Sequence, residues 1–388
     1  MKIAPQYRIY ACFFLYAIMT GAVMARLPDL QRQFGLSESQ LGLTMIGMAI
    51  GSLISLTFGA PLVERLGART TAFVTVLGPA FLLASIPWMP SPVGMFGALF
   101  ITGFLGGAFE INLNVELDRL ETHTGKRYMN RAHGFWSVGF FVTALFGAMI
   151  RQSGLTPALH LGGLALAVFA ITLVMLWNMT SAPRGIAHAN EGGHAIAFPN
   201  LGLLPLCLIG FAAFLVEGAG IDWSAIYMRN VFDSSPFVGG MGLTLFAFFM
   251  AAMRLTADPL VSRFGPRKVA MTLLVLAGAG ALMVGAAPDQ YVALAGFALM
   301  GLGCSAVYPL AVSAAAQRTD RPAAVNVAAL GQVSFVVFFL APPLLGFVAE
   351  YLGIRMSYLI CLPLLLAGLI ASYYALPTRK VPEPAAAE

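Results

Sequence analysis

The chain has 388 residues, of which 59% are hydrophobic and only 10% charged, with a mean hydropathy of +0.82 and a formal net charge of +5. So few charges cannot cover a water-facing surface, which excludes an ordinary soluble domain and points to a bilayer as the solvent. The basic residues fall between apolar runs, so their excess reads as a positive-inside bias and not as a nucleic-acid face.

A helix needs about 20 apolar residues to cross a bilayer core. Twelve runs of this kind are predicted, at approximately 8–28, 39–59, 70–88, 93–117, 130–150, 157–178, 200–228, 237–257, 268–287, 290–314, 325–349 and 355–376. Arg8 precedes the first run and no small-residue cleavage site follows it, so a retained helix is expected and not a signal peptide. Ser37 and Gln40 have the spacing of a capping box at the start of the second run. With the N-terminus on the cytoplasmic side, seventeen Lys and Arg residues fall inside. Only Arg26, Arg32, Arg151, Arg229 and Arg355 fall outside, which predicts both termini inside.

The expected organisation is an all-α integral membrane protein whose twelve transmembrane helices form two pseudo-symmetric six-helix bundles. Residues 1–179 make the first bundle, 180–200 a cytoplasmic linker rich in Pro and Gly, 201–377 the second bundle and 378–388 a cytoplasmic tail. Duplication is visible directly. Pro61-Leu62-Val63-Glu64-Arg65-Leu66-Gly67-Ala68-Arg69 is matched 198 residues later by Pro259-Leu260-Val261-Ser262-Arg263-Phe264-Gly265-Pro266-Arg267, with six of nine positions identical. Gly42-Leu43-Thr44 likewise matches Gly242-Leu243-Thr244.

Ionisable residues inside a bilayer are costly unless paired or hydrated, which makes them functional candidates. On the fourth helix Gly103, Gly106, Gly107, Glu110 and Asn114 lie within about 60° of one direction, with Asn112 and Glu116 roughly opposite. Glu110 with Asn114 is read as a proton or substrate site, against an interhelical hydrogen-bond pair. Glu217 and Asp222 bracket Gly218 and Gly220 in the seventh helix, which suggests an unwound, acid-lined segment. Trp223 has two readings, stacking on a sugar face or marking the interface belt. Arg26 with Asp29 flanks Pro28 as an outer-gate ion pair or as solvated end charges, and Arg26 is also a candidate for substrate contact or proton coupling. His133, beside Trp136 and Ser137, is a proton relay or an interface anchor.

Glu64, Arg65, Gly67 and Arg69 in one turn, with Arg263 and Arg267 in its copy, are read as a cytoplasmic gate. Arg254 and Asp258, four residues apart, are expected to pair on the eighth helix. Tyr16, Thr20, Ser305, Tyr308 and Gln332 are weaker polar candidates, and bends are expected at Gly301, Gly303 and Pro342-Pro343. Cys12, Cys207, Cys304 and Cys361 lie in apolar runs without paired spacing, which predicts core residues and neither disulfides nor a zinc site. Nothing in the chain has the arrangement of a nucleophile, a metal site or a phosphate loop, so no enzyme activity, metal or cofactor is expected.

Six plus six helices with a basic, Gly-containing turn after the second and eighth resemble the major facilitator superfamily across nearly the whole chain. The superfamily turn runs Gly-x-x-x-Asp-Arg-x-Gly-Arg-Arg; this chain keeps Arg65, Gly67 and Arg69 but has Ala60, Glu64 and Ala68 at the other positions, and Ser262 replaces the acid in the second copy. Ala25-Arg26-Leu27-Pro28, Glu110-x-x-x-Asn114, His133-Gly134-Phe135-Trp136-Ser137-Val138-Gly139, Glu217-Gly218-Ala219-x-x-Asp222-Trp223-Ser224 and Arg254-Leu255-x-x-Asp258 look more narrowly like the fucose-permease-like branch and its YbjJ-like inner-membrane members. That branch usually has Asp where this chain has Glu110.

The resemblance implies an inner-membrane secondary transporter that alternates access between its two halves, with the turn as a latch. It further implies proton-coupled uptake of a small polar solute, sugar-like or polyol-like. Expected partners are that solute, protons and lipid, with no nucleic acid, and the chain is read as a monomer. A proton-coupled drug or metabolite exporter and a non-transporting membrane sensor are the alternatives. Against export, residues 134–150 lack the Gly-Pro pair that superfamily antiporters usually carry in the fifth helix.

Overall fold

The computed structural model describes residues 3–126, 128–181 and 199–378. Nearly all of the predicted linker, the tail after residue 378, and Lys2, Arg127, Arg184, Arg379 and Lys380 of the charge bias lie outside them. Among the described residues twelve helical segments are long and apolar enough to cross a membrane. In chain order the helices are α1 (Pro5–Phe34), α2 (Glu38–Phe58), α3 (Ala60–Ser85), α4 (Pro92–Thr124), α5 (Met129–Gln152), α6 (Pro157–Leu176), α7 (Leu204–Phe232), α8 (Pro236–Phe264), α9 (Pro266–Ala286), α10 (Gln290–Cys304), α11 (Val307–Ala316), α12 (Ala323–Leu352), α13 (Met356–Leu359) and α14 (Cys361–Ala375). The tenth span is α10 with α11 and the last is α13 with α14.

Local chemistry sets the helix ends. Ser37 and Gln40 form the expected reciprocal capping box of α2, and Asp289 accepts from the Tyr291 and Val292 amides at the start of α10. Both copies of the repeated sequence turn at their glycine, Gly67 at φ 74°, ψ 160° and Gly265 at φ 84°, ψ 153°, a region open almost only to glycine. The turns are shorter than expected. Residues 60–66 and 258–264 are helical, and the chain leaves the helix only at the glycine.

One further expectation is corrected. The tenth span breaks at Ser305–Ala306 and not at Gly301 or Gly303, because Pro309 has no N–H to offer the Ser305 carbonyl. Pro342-Pro343 lies inside the unbroken helix α12.

The chain forms two compact units. One comprises Met1–His194, Ser224–Thr244 and Pro342–Leu352; the other comprises Ala195–Trp223, Leu245–Ala341 and Gly353–Glu388. In the first, α1 packs along α5 and α6, α2 along α4, and α3 along α4 and α6. Its short segments are bound by polar contacts. Arg229 donates to the Pro28 carbonyl (2.7 Å) and Gln31 Oε1 (2.6 Å), Asn230 to Glu38 (2.9 Å), the Phe237 amide to Gln152 (3.1 Å), and Ser39 N to Glu350 (3.0 Å). In the second, α9 packs along α10 and α14. All four cysteines are buried.

The α2–α4 crossing depends on missing side chains. Gly51 lies against the Phe100 carbonyl and Gly103 against the Met48 carbonyl, so a Cβ at either position meets backbone. Gly103→Val is therefore expected to lower stability by about 1–3 kcal/mol, as overpacking does. Thermal unfolding of the purified protein in detergent checks this, and a midpoint equal to that of the unsubstituted chain would contradict it.

Candidate functional site

Two acidic sites lie inside membrane-spanning helices, one in each compact unit. In the first, the glycine stripe of α4 leads to Glu110, which is half-buried. Asn114 one turn on donates from Nδ2 to Glu110 Oε2 at 3.0 Å, and its own Oδ1 is buried without a donor. The Tyr16 hydroxyl of α1 faces Gly106, and its ring stacks on Phe109 with centroids 4.5 Å apart. Across the helix Asn112 donates to the Ala68 carbonyl (3.1 Å), beside the Gly67 turn, and Glu116 pairs with Arg119 (2.7 Å). The two faces of α4 thus hold different chemistry: an acid with a neutral partner on one, turn-bracing contacts on the other.

In the second unit Glu217 of α7 is buried and pairs with Arg254 of α8 at 3.2 Å. The Arg254 Nε also donates to the Ser305 carbonyl at 3.1 Å. The expected Arg254–Asp258 pair within α8 does not form. Asp258 is exposed and water can solvate it, whereas a buried carboxylate needs a cation close by.

Asp222, half-buried on α7, has no hydrogen-bond or ion-pair partner among the described residues. The segment is not unwound, because α7 is helical throughout Leu204–Phe232. Its Gly220 instead makes room for the Phe246 ring. Trp223 is fully buried, with Nε1 unpaired, so it neither lies in an interface belt nor offers an open face for stacking.

Arg26 pairs with Asp29 as expected. It is buried, and all three guanidinium nitrogens bond protein acceptors: Nε to His160 Nδ1 (3.1 Å), Nη1 to Asp29 (2.9 Å) and Nη2 to the Leu155 carbonyl (2.8 Å). Asp29 also receives Nε and Nη2 of Arg151 and Nη2 of Arg32. Arg26 thus ties α1 to α6 and to the segment before it. Sequence reasoning missed Arg151 and His160, whose place in the last turn of one span and the first turn of the next was the available signal.

His133 is exposed, its ring 4.9 Å from that of Phe13, and Trp136 stacks on Phe140. Glu64, Arg65 and Arg69 are exposed, with Arg69 over the Phe73 ring. In the copy, Arg263 is exposed over Phe264, whereas Arg267 is half-buried and bonds the Leu376 carbonyl at 2.7 Å. Among the weaker candidates Thr20 bonds carbonyls of its own helix and Gln332 is exposed.

Asp29→Asn would leave the buried Arg26 and Arg151 without their carboxylate. It is expected to cost about 3–5 kcal/mol, read as a lower unfolding midpoint. A variant as stable as the parent would show that the cluster does not carry the helix ends.

A family model described as Major Facilitator Superfamily matches residues 9–221 and 206–388. The uncharacterized transporter y4wD of Sinorhizobium fredii is 30% identical over 365 residues, covering 92% of this chain and 94% of its own length. Among solved structures, the nucleoside transporter NupG has a TM-score of 0.75 at 15% identity, covering 96% of this chain and 100% of that one. The E. coli fucose:proton symporter FucP has a TM-score of 0.64 at 20% identity, covering 96% and 99%. At these identities the two structures speak for the fold.

Proposed function

The chain belongs to the Major Facilitator Superfamily and is a multi-pass membrane transporter, and from that premise we propose that it takes up a small polar solute by proton-coupled alternating access. One observation carries the reading: Glu110 sits half-buried in a transmembrane helix with only a neutral amide, Asn114, bonded to it. Such a carboxylate is tolerable when it is protonated, hydrated or met by a ligand, so its charge can change with the transport cycle. The unpaired Oδ1 of Asn114 awaits a donor, which suits a hydroxylated solute.

Glu217, with Arg254 as its counter-charge, and Asp222 form the acidic group of the second unit. The motif likeness to the fucose-permease-like branch, and the fold likeness to a fucose:proton symporter, support a sugar-like or polyol-like solute. Alternating access exposes the bound solute to each side of the membrane in turn. The turn residues Glu64, Arg65, Gly67 and Arg69, with Arg263 and Arg267, serve as the latch, and His133 near the start of α5 is a further coupling candidate. The working form is a monomer in an inner membrane, with both termini cytoplasmic by the charge bias.

A thermal-shift screen of purified protein against sugars, polyols and amino acids identifies the solute, because a ligand stabilises the state it binds. With that solute in proteoliposomes, Glu110→Gln is expected to reduce uptake driven by an imposed pH gradient to the level of empty vesicles while solute counterflow continues. Gradient-driven uptake equal to that of the parent would remove Glu110 from the coupling.

A further inference from the structure

The break in the tenth span leaves one backbone group in need. In a continuous helix the amide of residue 309 would bond the carbonyl of residue 305, but Pro309 has no N–H. The neighbouring groups are served locally: Ser305 Oγ donates to the Leu302 carbonyl at 2.7 Å, and the Leu310 amide to the Ala306 carbonyl at 3.1 Å. The Ser305 carbonyl receives its donor from another helix, Arg254 Nε of α8 at 3.1 Å. The same guanidinium reaches Glu217 of α7 through Nη2 at 3.2 Å.

About two turns along α8 from Arg254 the same helices pack closely, Gly220 of α7 on the Phe246 ring and Gly301 of α10 on the Phe246 backbone. The guanidinium itself bridges the Glu217 carboxylate and the break in the tenth span.

We propose that Arg254 is a positioning residue that ties the hinge at Ser305–Ala306 to the charge on Glu217. While Glu217 is ionised, the guanidinium is anchored at one end and holds the Pro309-freed carbonyl at the other. When Glu217 becomes neutral, the anchor weakens and the Ser305 carbonyl loses a fixed donor, so the α10–α11 junction loosens. An arginine does this where a lysine cannot, because its planar fork addresses two acceptors at once. The inference rests on Glu217 as a coupling group only for its meaning in transport. The mechanical link stands or falls separately.

The test is hydrogen exchange of the full chain in lipid nanodiscs, without solute or gradient, followed at the amides of residues 306–308 and 310–312. Glu217→Gln is expected to speed exchange there about tenfold, the loss of one charge-assisted hydrogen bond, while amides in α3 stay as protected as before. Pro309→Ala restores a helix donor to the Ser305 carbonyl, so in that background Glu217→Gln should change hinge exchange by less than about twofold. A residue that merely packs would not give this dependence on Pro309.

Should Glu217→Gln loosen the whole unit, Arg254→Lys replaces it in the same comparison. Hinge protection equal to that of the parent, or an equal response in the Pro309→Ala background, overturns the proposal. Because no transport is measured, a failure of proton-driven uptake leaves this result untouched.

Discussion

Hydrocarbon offers no hydrogen bonds, and the rest of the structure depends on that constraint. Every backbone amide and carbonyl in a membrane span must be satisfied within the protein, which leaves helices and closed barrels, and this chain uses helices. Any charge that enters must bring or find its partner. The twelve spans obey the first requirement, and their ends and breaks obey it through caps, glycine turns and borrowed donors. The second requirement sorts the ionisable residues into structural and functional ones.

Asp29 shows the structural outcome. Arg26, Arg32 and Arg151 converge on it, and His160 and the Leu155 carbonyl take the remaining donors of Arg26. Glu110 is the opposite case, with a neutral amide beside it and no cation bonded to it. Glu217 stands between the two: it has its arginine, but that arginine also holds a carbonyl at a helix break. The three acids thus run from fully paired to barely paired.

Much of the architecture was legible in the sequence because the signals are one-dimensional. Apolar run length sets the number of spans, the Ser37–Gln40 spacing sets a helix start, and Gly67 and Gly265 mark turns that demand their φ values. The stripe from Gly103 to Asn114 likewise follows from helical periodicity. Partnerships between helices were not legible. Arg254 bonds Glu217, 37 residues away, and ignores Asp258 on its own helix, because burial decides which acid most needs a cation. Gly218 and Gly220 read as unwinding residues, yet α7 stays helical and uses Gly220 for close packing. Trp223 read as a surface ring and is fully buried.

By itself the sequence determined that this chain lives in a bilayer as a duplicated set of helices, with acids at Glu110 and Glu217 deep inside apolar runs. These are properties of composition, period and spacing, which need no knowledge of neighbours. Only the tertiary structure decided which of the deep charges are clamped and which are available, and that Pro309, not the nearby glycines, sets the break in the tenth span, whose freed carbonyl bonds Arg254. The reason is physical: in a medium without water a charge or a freed carbonyl is defined by whatever lies within about 3 Å of it, and that neighbour most often comes from a distant part of the chain.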